Sequence, residues 1–259
     1  MNNRKQQIQA FSKLLDIMDE IRDKCPWDKK QTYESLRHLT IEETYELGDA
    51  ILDNDLPEIK KELGDLLLHI VFYAKIASES QSFDIADVIN SINEKLVYRH
   101  PHVFGDLKVE SEEEVAKNWE KLKLKEGRKS ILEGVPRSLP AMVKASRIQD
   151  KAASAGFDWD NSEQVFEKVQ EEIFELYHEV KENNQSKTEA EFGDVLFSLI
   201  NYARFIKVDP ESALERTNKK FIKRFQFLEK ETAKKGMQLS EMTLEEMDVY
   251  WEMSKKHFK

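Results

Sequence analysis

Ile8, Phe11, Leu14, Leu15, Met18 and Ile21 recur at steps of three and four residues, the spacing of one helix face, and the pattern stops near Cys25-Pro26-Trp27-Asp28. The same period predicts helices over 34–53, 57–78, 84–98 and 111–125. A stretch bearing Gly and Pro follows, EGRKSILEGVPRSLP at 126–140, and it reads as a linker. Helical patterns resume over 141–154, 162–182, 187–207, 210–235 and 240–257. An all-α chain is expected, with helical domains at 1–125 and 141–259.

The two halves repeat one another. IEETYELGDAILDNDLPEIKKELGDLLLHIVFYAK (41–75) lies over QEEIFELYHEVKENNQSKTEAEFGDVLFSLINYAR (170–204) without a gap. Both contain E-E-x-x-E, a polar turn, and E-x-G-D at the same spacing. Upstream, Trp27-Asp28 has its counterpart in Trp159-Asp160, each preceded by an Asp-Lys pair (Asp23-Lys24 and Asp150-Lys151). Downstream, Asn93, Lys95 and Arg99 match Asn218, Lys220 and Arg224, and WEKLK (119–123) resembles WEMSK (251–255). The chain is a tandem duplication of one helical-bundle unit, each copy built around a helical hairpin.

The acids are the unusual part of that unit. Residues three apart share a helix face, so Glu172 projects with Glu175 and Glu191 with Asp194. Glu175 lies eight residues before Asn183 and Glu191 eight after it, which places both about 12 Å from a turn at Asn183. The first copy repeats the arrangement with Glu43, Glu46, Glu62 and Asp65 around Asn54. Nearly continuous apolar runs follow, DLLLHIVFYA and DVLFSLINYA, so these helices are expected to be buried on most sides, with Asp65 and Asp194 pointing inward. Several kcal/mol per uncompensated buried ion would rival a domain's whole stability of about 5–15 kcal/mol, so a positive charge must sit between the acids. Carboxylates without thiolate or repeated histidine describe a hard-cation site for Mg²⁺ or Mn²⁺. Glu175-x-x-His178 resembles the ligand pair of a di-iron bundle, but that plan needs two Glu/His pairs and this hairpin offers Asp194 in the second place, while the first copy has Asp49 where His178 stands. His69 faces Ser198 in the alignment, so both histidines read as structural or surface residues. Lys220 with Arg224, and Lys95 with Arg99, are four apart and suit phosphate oxygens; Trp251 with Lys255 suits a base and a phosphate.

Charge and composition narrow the partners. A net charge of −10 argues against a general grip on nucleic acid, because neutralising phosphates needs a basic surface. Cys25 is the only cysteine, which rules out an intrachain disulfide and a cysteine zinc cluster and fits a reducing, cytoplasmic setting. The N-terminus lacks a signal-peptide pattern, and no apolar run approaches the length of a membrane span.

CPWDKKQTYESLR, EETYEL with ELGDLLLHIVFYA, YRHPHVFGD, GFDWD, and EEIFEL with EFGDVLF together resemble the MazG family of nucleoside triphosphate pyrophosphohydrolases, over nearly the whole chain. The resemblance implies an all-α bundle completed across a homodimer, and Mg²⁺-dependent hydrolysis of a nucleoside triphosphate to the monophosphate and pyrophosphate. It matches Glu172, Glu175, Glu191 and Asp194 to metal-binding acids, counts Glu171 with them as catalytic, and matches Lys187, Lys220, Arg224, Trp251 and Lys255 to substrate-binding positions. Glu43, Glu46, Glu62 and Asp65 carry the metal positions of the first copy. That copy departs at Glu58, an acid in the place of Lys187, so the second copy is expected to be the principal active one. A nucleotide-sensing or partner-binding module with little turnover, and an enzyme restricted to modified nucleotides, remain the competing readings.

Overall fold

The computed structural model describes residues 2–109, 111, 114, 115, 118, 122 and 130–258. The helix expected over 111–125, the segment 119–123 and the start of the expected linker lie largely outside them. The chain divides into two compact units, Met1–Glu110 and Ser111–Lys259. All regular structure among the described residues is helical.

In the first unit the helices are α1 (Arg4–Lys24), α2 (Tyr33–Leu52), α3 (Leu56–Glu79), α4 (Ile85–Arg99) and the single turn α5 (Pro101–Phe104), with a 3₁₀ turn at Asp28–Lys30. Side chains fix where they start. Asn3, Thr32 and Asp84 each accept a hydrogen bond from the backbone N–H three residues on, while that residue's side chain reciprocates, so two orphan donors are satisfied at once. The second unit contains α6 (Ala141–Ser154), α7 (Ser162–Lys181), α8 (Gln185–Phe205), α9 (Pro210–Lys234) and α10 (Leu244–His257). The helix expected over 240–257 is broken: Leu239–Glu241 is a 3₁₀ turn, Met242 is extended, and α10 restarts behind Thr243. The cause is local, since the Thr243 side chain accepts from Glu246 N and the Glu246 side chain accepts from Thr243 N, a box that apolar periodicity does not report.

The two hairpins, α2–α3 and α7–α8, turn in the same way. Asn54 (φ 54°) and Asn183 (φ 53°) take the left-handed conformation, which asparagine tolerates better than branched residues. The next residue closes a six-residue loop in each, Asp55 N donating to Ala50 O (3.0 Å) and Asn184 N to Glu179 O (3.3 Å). Asp55 and Asn184 then cap α3 and α8 by accepting from Glu58 N and Lys187 N. Because the turns match, the acids on either side of them keep the same register in both copies.

Met18, Leu36, Val71 and Phe72 form the buried centre of the first unit, with Phe11, Leu14, Leu15, Leu39 and Leu68 packed against it. His69, buried on α3, shares a hydrogen bond with Thr40 Oγ1 (2.9 Å), which also pairs with the Tyr73 hydroxyl (2.6 Å), and burial lowers its pKa. His69 is therefore a core residue, and His178 is exposed on α7. Arg22 ties the unit's open end: it grips Glu79 through two hydrogen bonds (2.7 and 2.9 Å), donates to the carbonyls of Asp28 and Gln31, and lies over the Phe72 ring. Arg22→Ala strips two backbone carbonyls and a carboxylate of their donor, and is expected to cost about 2 kcal/mol in urea unfolding of this unit. An unchanged midpoint would mean that solvent replaces the guanidinium at no cost.

In the second unit Val165 and Val169 of α7 and Val195, Ile200 and Ala203 of α8 are buried, as are Leu228 and Thr232 of α9 and Tyr250 and Ser254 of α10; α7 packs on α8 and α9 on α10. The packing leaves large apolar side chains uncovered on the hairpin, among them Phe174 and Tyr177 of α7 and Phe192 and Leu199 of α8.

Candidate metal centre

On α7 and α8, Glu172, Glu175 and Glu191 each bring a carboxylate oxygen within 4.8 Å of the others, and Glu43, Glu46 and Glu62 do the same on α2 and α3. The i,i+3 spacing on the first helix of each hairpin and the matched turn produce this convergence. Asp194 and Asp65 stand one turn further on. Both are felt electrostatically by the cluster, but Asp194 is exposed and Asp65 only half-buried, so the fully inward orientation expected for them is not seen. Exposure follows from the helix: Phe197, three residues on along the same face of α8, is exposed as well.

The electrostatics show crowding. Burial and the neighbouring acids Glu175, Asp194 and Glu172 push the Glu191 carboxyl above its usual range; burial and Asp65 do the same to Glu43. Lysines offset part of this. Lys168 bridges Glu171 and Glu172, both at 2.8 Å, and Lys61 bridges Glu58 and Glu62 at 2.8 and 2.7 Å. Lys61 holds Glu62 below the usual carboxylate range, and both lysines are raised. The positive charge that the buried acids require is thus supplied in part by Lys61 and Lys168, which the repeat does not mark. The Lys168-x-x-x-Glu172 spacing was a sufficient signal for one of them. Glu62 is completely buried, and its Oε1 meets Lys61 while Oε2 has no hydrogen-bond partner among the described residues. A sealed, unpartnered carboxylate oxygen beside two more carboxylates fits a hard divalent cation.

The remaining candidates lie on other surfaces. Lys187 is exposed near the hairpin tip, 3.4 Å from Glu179. Its counterpart Glu58 is held by Lys61. Lys220 and Arg224 are on α9, where Arg224 donates through Nε and Nη2 to Phe258 O at 3.1 and 2.7 Å, so this guanidinium caps the end of α10. Trp251 of α10 is half-buried with its ring 5.0 Å from Phe221, and Lys255 pairs with Glu252. The acids and Lys187 are thus assembled on one hairpin, and Lys220, Arg224, Lys255 and the indole on the α9–α10 pair.

Two all-α units, each presenting one acid cluster from a helical hairpin, define a duplicated hairpin class, and comparison with known proteins names it. The model of the MazG nucleotide pyrophosphohydrolase domain matches residues 31–104 and again 160–226, and the chain belongs to the MazG family. It is 46% identical over 250 residues to the nucleoside triphosphate pyrophosphohydrolase/pyrophosphatase MazG of Thermotoga maritima, covering 95% of both chains. With the nucleoside triphosphate pyrophosphohydrolase of Escherichia coli K12 it shares 42% identity over 258 residues, 96% of this chain and 98% of that one. YabN of Bacillus subtilis 168, an uncharacterized protein, is 46% identical over 252 residues, 95% of this chain and 52% of its own length.

Proposed function

We propose that the protein hydrolyses nucleoside triphosphates between the α- and β-phosphates, giving the monophosphate and pyrophosphate, and that the second unit is the principal site. The converging carboxylates of Glu172, Glu175 and Glu191 carry this reading, together with family membership and relatives named for that activity. Those three acids, with Asp194, would hold Mg²⁺ or Mn²⁺, which would supply charge neutralisation at the phosphate and acidify bound water. Glu171 is the exposed acid next to the cluster, and its role is to take the proton of the attacking water. Lys168, released from Glu171 and Glu172, and Lys187, Lys220, Arg224 and Lys255 provide the positive charge for the triphosphate and the departing pyrophosphate. In the first unit Glu58 stands where the second has Lys187, which favours metal binding without efficient turnover there. The uncovered Phe174, Tyr177, Phe192 and Leu199 support a homodimer in which a second copy closes over the hairpin. The described helices include none long and apolar enough to cross a membrane, and the free thiol of Cys25 suits a cytoplasmic setting.

Anion-exchange analysis of products from a panel of triphosphates tests the reaction. Pyrophosphate and monophosphate only with metal are expected; diphosphate and phosphate would overturn it, and no product would leave a nucleotide sensor. The acid cluster adds a pH signature. Glu43 and Glu191 have raised pKa values, so their contribution to stability is present below the unfolded carboxylate range and is lost as pH rises through their folded values. Mg²⁺ should offset that loss. At a hundredfold excess over its Kd it is expected to add about 2.7 kcal/mol at pH 7.5, and the gain should fade as pH falls through the carboxylate range. A thermal shift equal at pH 7.5 and pH 4.5 would place the ion elsewhere.

A further inference from the structure

In each hairpin one carboxylate of the three is sealed, and the two copies seal different ones. Glu62 is 0% exposed where its counterpart Glu191 is half-buried, and Glu172 is 7% exposed where its counterpart Glu43 is half-buried. The lysines follow this exchange. Lys61 Nζ lies 2.7 Å from Glu62 and Lys168 Nζ 2.8 Å from Glu172, although the two lysines do not align in the repeat. A lysine fixed by the duplication would keep its position; one that tracks burial is there as the counter-ion of the buried acid. The second partner is of one kind in both copies, a more accessible acid outside the three: Glu58 at 2.8 Å from Lys61, and Glu171 at 2.8 Å from Lys168.

Metal binding cannot leave that arrangement unchanged. Mg²⁺ takes carboxylate oxygens at about 2.1 Å, so an ion on the oxygen that Glu62 or Glu172 gives its lysine would stand no more than about 5 Å from Nζ, a close approach of like charges beside a buried acid. Both lysines have somewhere to go. Their side chains are 57% and 34% exposed, and a flexible four-carbon stem lets the head swing towards water without disturbing the helix. Glu58 and Glu171, which lie outside the clusters, can keep hold of the ammonium when it leaves.

We propose that Lys61 and Lys168 stand in for the metal in the metal-free protein: each neutralises the buried acid of its hairpin, yields it to the ion, and pivots onto Glu58 or Glu171. The buried carboxylate is then never without a cation, and the lysine sets the affinity for metal by competing with it. This exchange rests on the reading of the two clusters as metal sites and not on hydrolysis.

Mn²⁺ titrated into the full chain without substrate, and followed by electron paramagnetic resonance, reads the exchange directly. Lys168→Met is measured in a Glu46→Gln background and Lys61→Met in a Glu175→Gln background, so that each protein keeps one cluster of three acids. Against its background, each lysine variant is expected to bind Mn²⁺ at least about tenfold more tightly, because a competing charge is gone. Without metal it should melt about 3 °C lower, its buried acid having lost its partner, and saturating Mn²⁺ should bring it level with the background at the same Mn²⁺. Lys168→Arg and Lys61→Arg keep the charge on a two-pronged head, so they should weaken Mn²⁺ binding severalfold, and they serve if a methionine variant fails to fold. Unchanged or weaker Mn²⁺ binding by the methionine variants, a loss of melting temperature that Mn²⁺ does not restore, or arginine variants with background affinity would each overturn the proposal. A native chain that binds no Mn²⁺ would remove both clusters as metal sites and the exchange with them. Pyrophosphate release from ATP by the native chain is measured alongside. Tighter Mn²⁺ binding by the methionine variants without that release would keep the exchange and sink hydrolysis; release with unchanged Mn²⁺ affinities would do the reverse.

Discussion

Glu175→Gln is expected to lower pyrophosphate release by at least about a hundredfold without loss of thermal stability, whereas the matched variant Glu46→Gln keeps most of the activity. Both residues are exposed on the first helix of their hairpins and touch a cluster of three carboxylates, so neither change opens a cavity. Their difference comes from what surrounds each cluster. The second unit has Lys187 near its hairpin tip; the first has Glu58 there, already joined to Lys61. Initial rates from the two variants, with Mn²⁺ binding measured by electron paramagnetic resonance, check this. Equal losses would place both units in catalysis, and a Glu175→Gln enzyme near native rate would remove the cluster from the reaction.

Leu36→Ala should be the most damaging of the core truncations, at about 3 kcal/mol. Leu36 is 1% exposed and lies on α2 at the centre where Met18 of α1 and Val71 and Phe72 of α3 meet. Removing it leaves a void that three helices would have to close together. Since the same helix carries Glu43 and Glu46, the loss should also weaken metal binding by the first unit. Urea unfolding of the full chain measures the first effect, and a change below about 1 kcal/mol would mean that α2 is not anchored there.

Most of the helical order was legible because each helix carries a face of recurring apolar residues, and the hairpins were legible twice over because the chain repeats itself. Boundaries were read to within a few residues for the same reason. What escaped was decided by polar side chains acting over three or four positions. Thr243 and Glu246 interrupt the last helix, and nothing in the apolar pattern around Met242 and Met247 announces it. The cost of burying the acids implies a positive charge among them, but the repeat does not point to Lys61 or Lys168, since neither recurs in the other copy. Alignment of the halves hides them: Lys61 faces Ala190, and Lys168 faces Leu39.

The relocation of that lysine has a consequence for recombining the two halves. In the first unit it sits on the descending arm of the hairpin, at Lys61 of α3; in the second it sits on the ascending arm, at Lys168 of α7. A chimera joining α2 to α8 would inherit Leu39 and Ala190, hence a full set of acids and neither lysine. The reciprocal chimera, α7 joined to α3, would inherit both. The copies match in turn and register and yet are not interchangeable arm by arm, so each hairpin has become a matched pair whose halves can be exchanged only together.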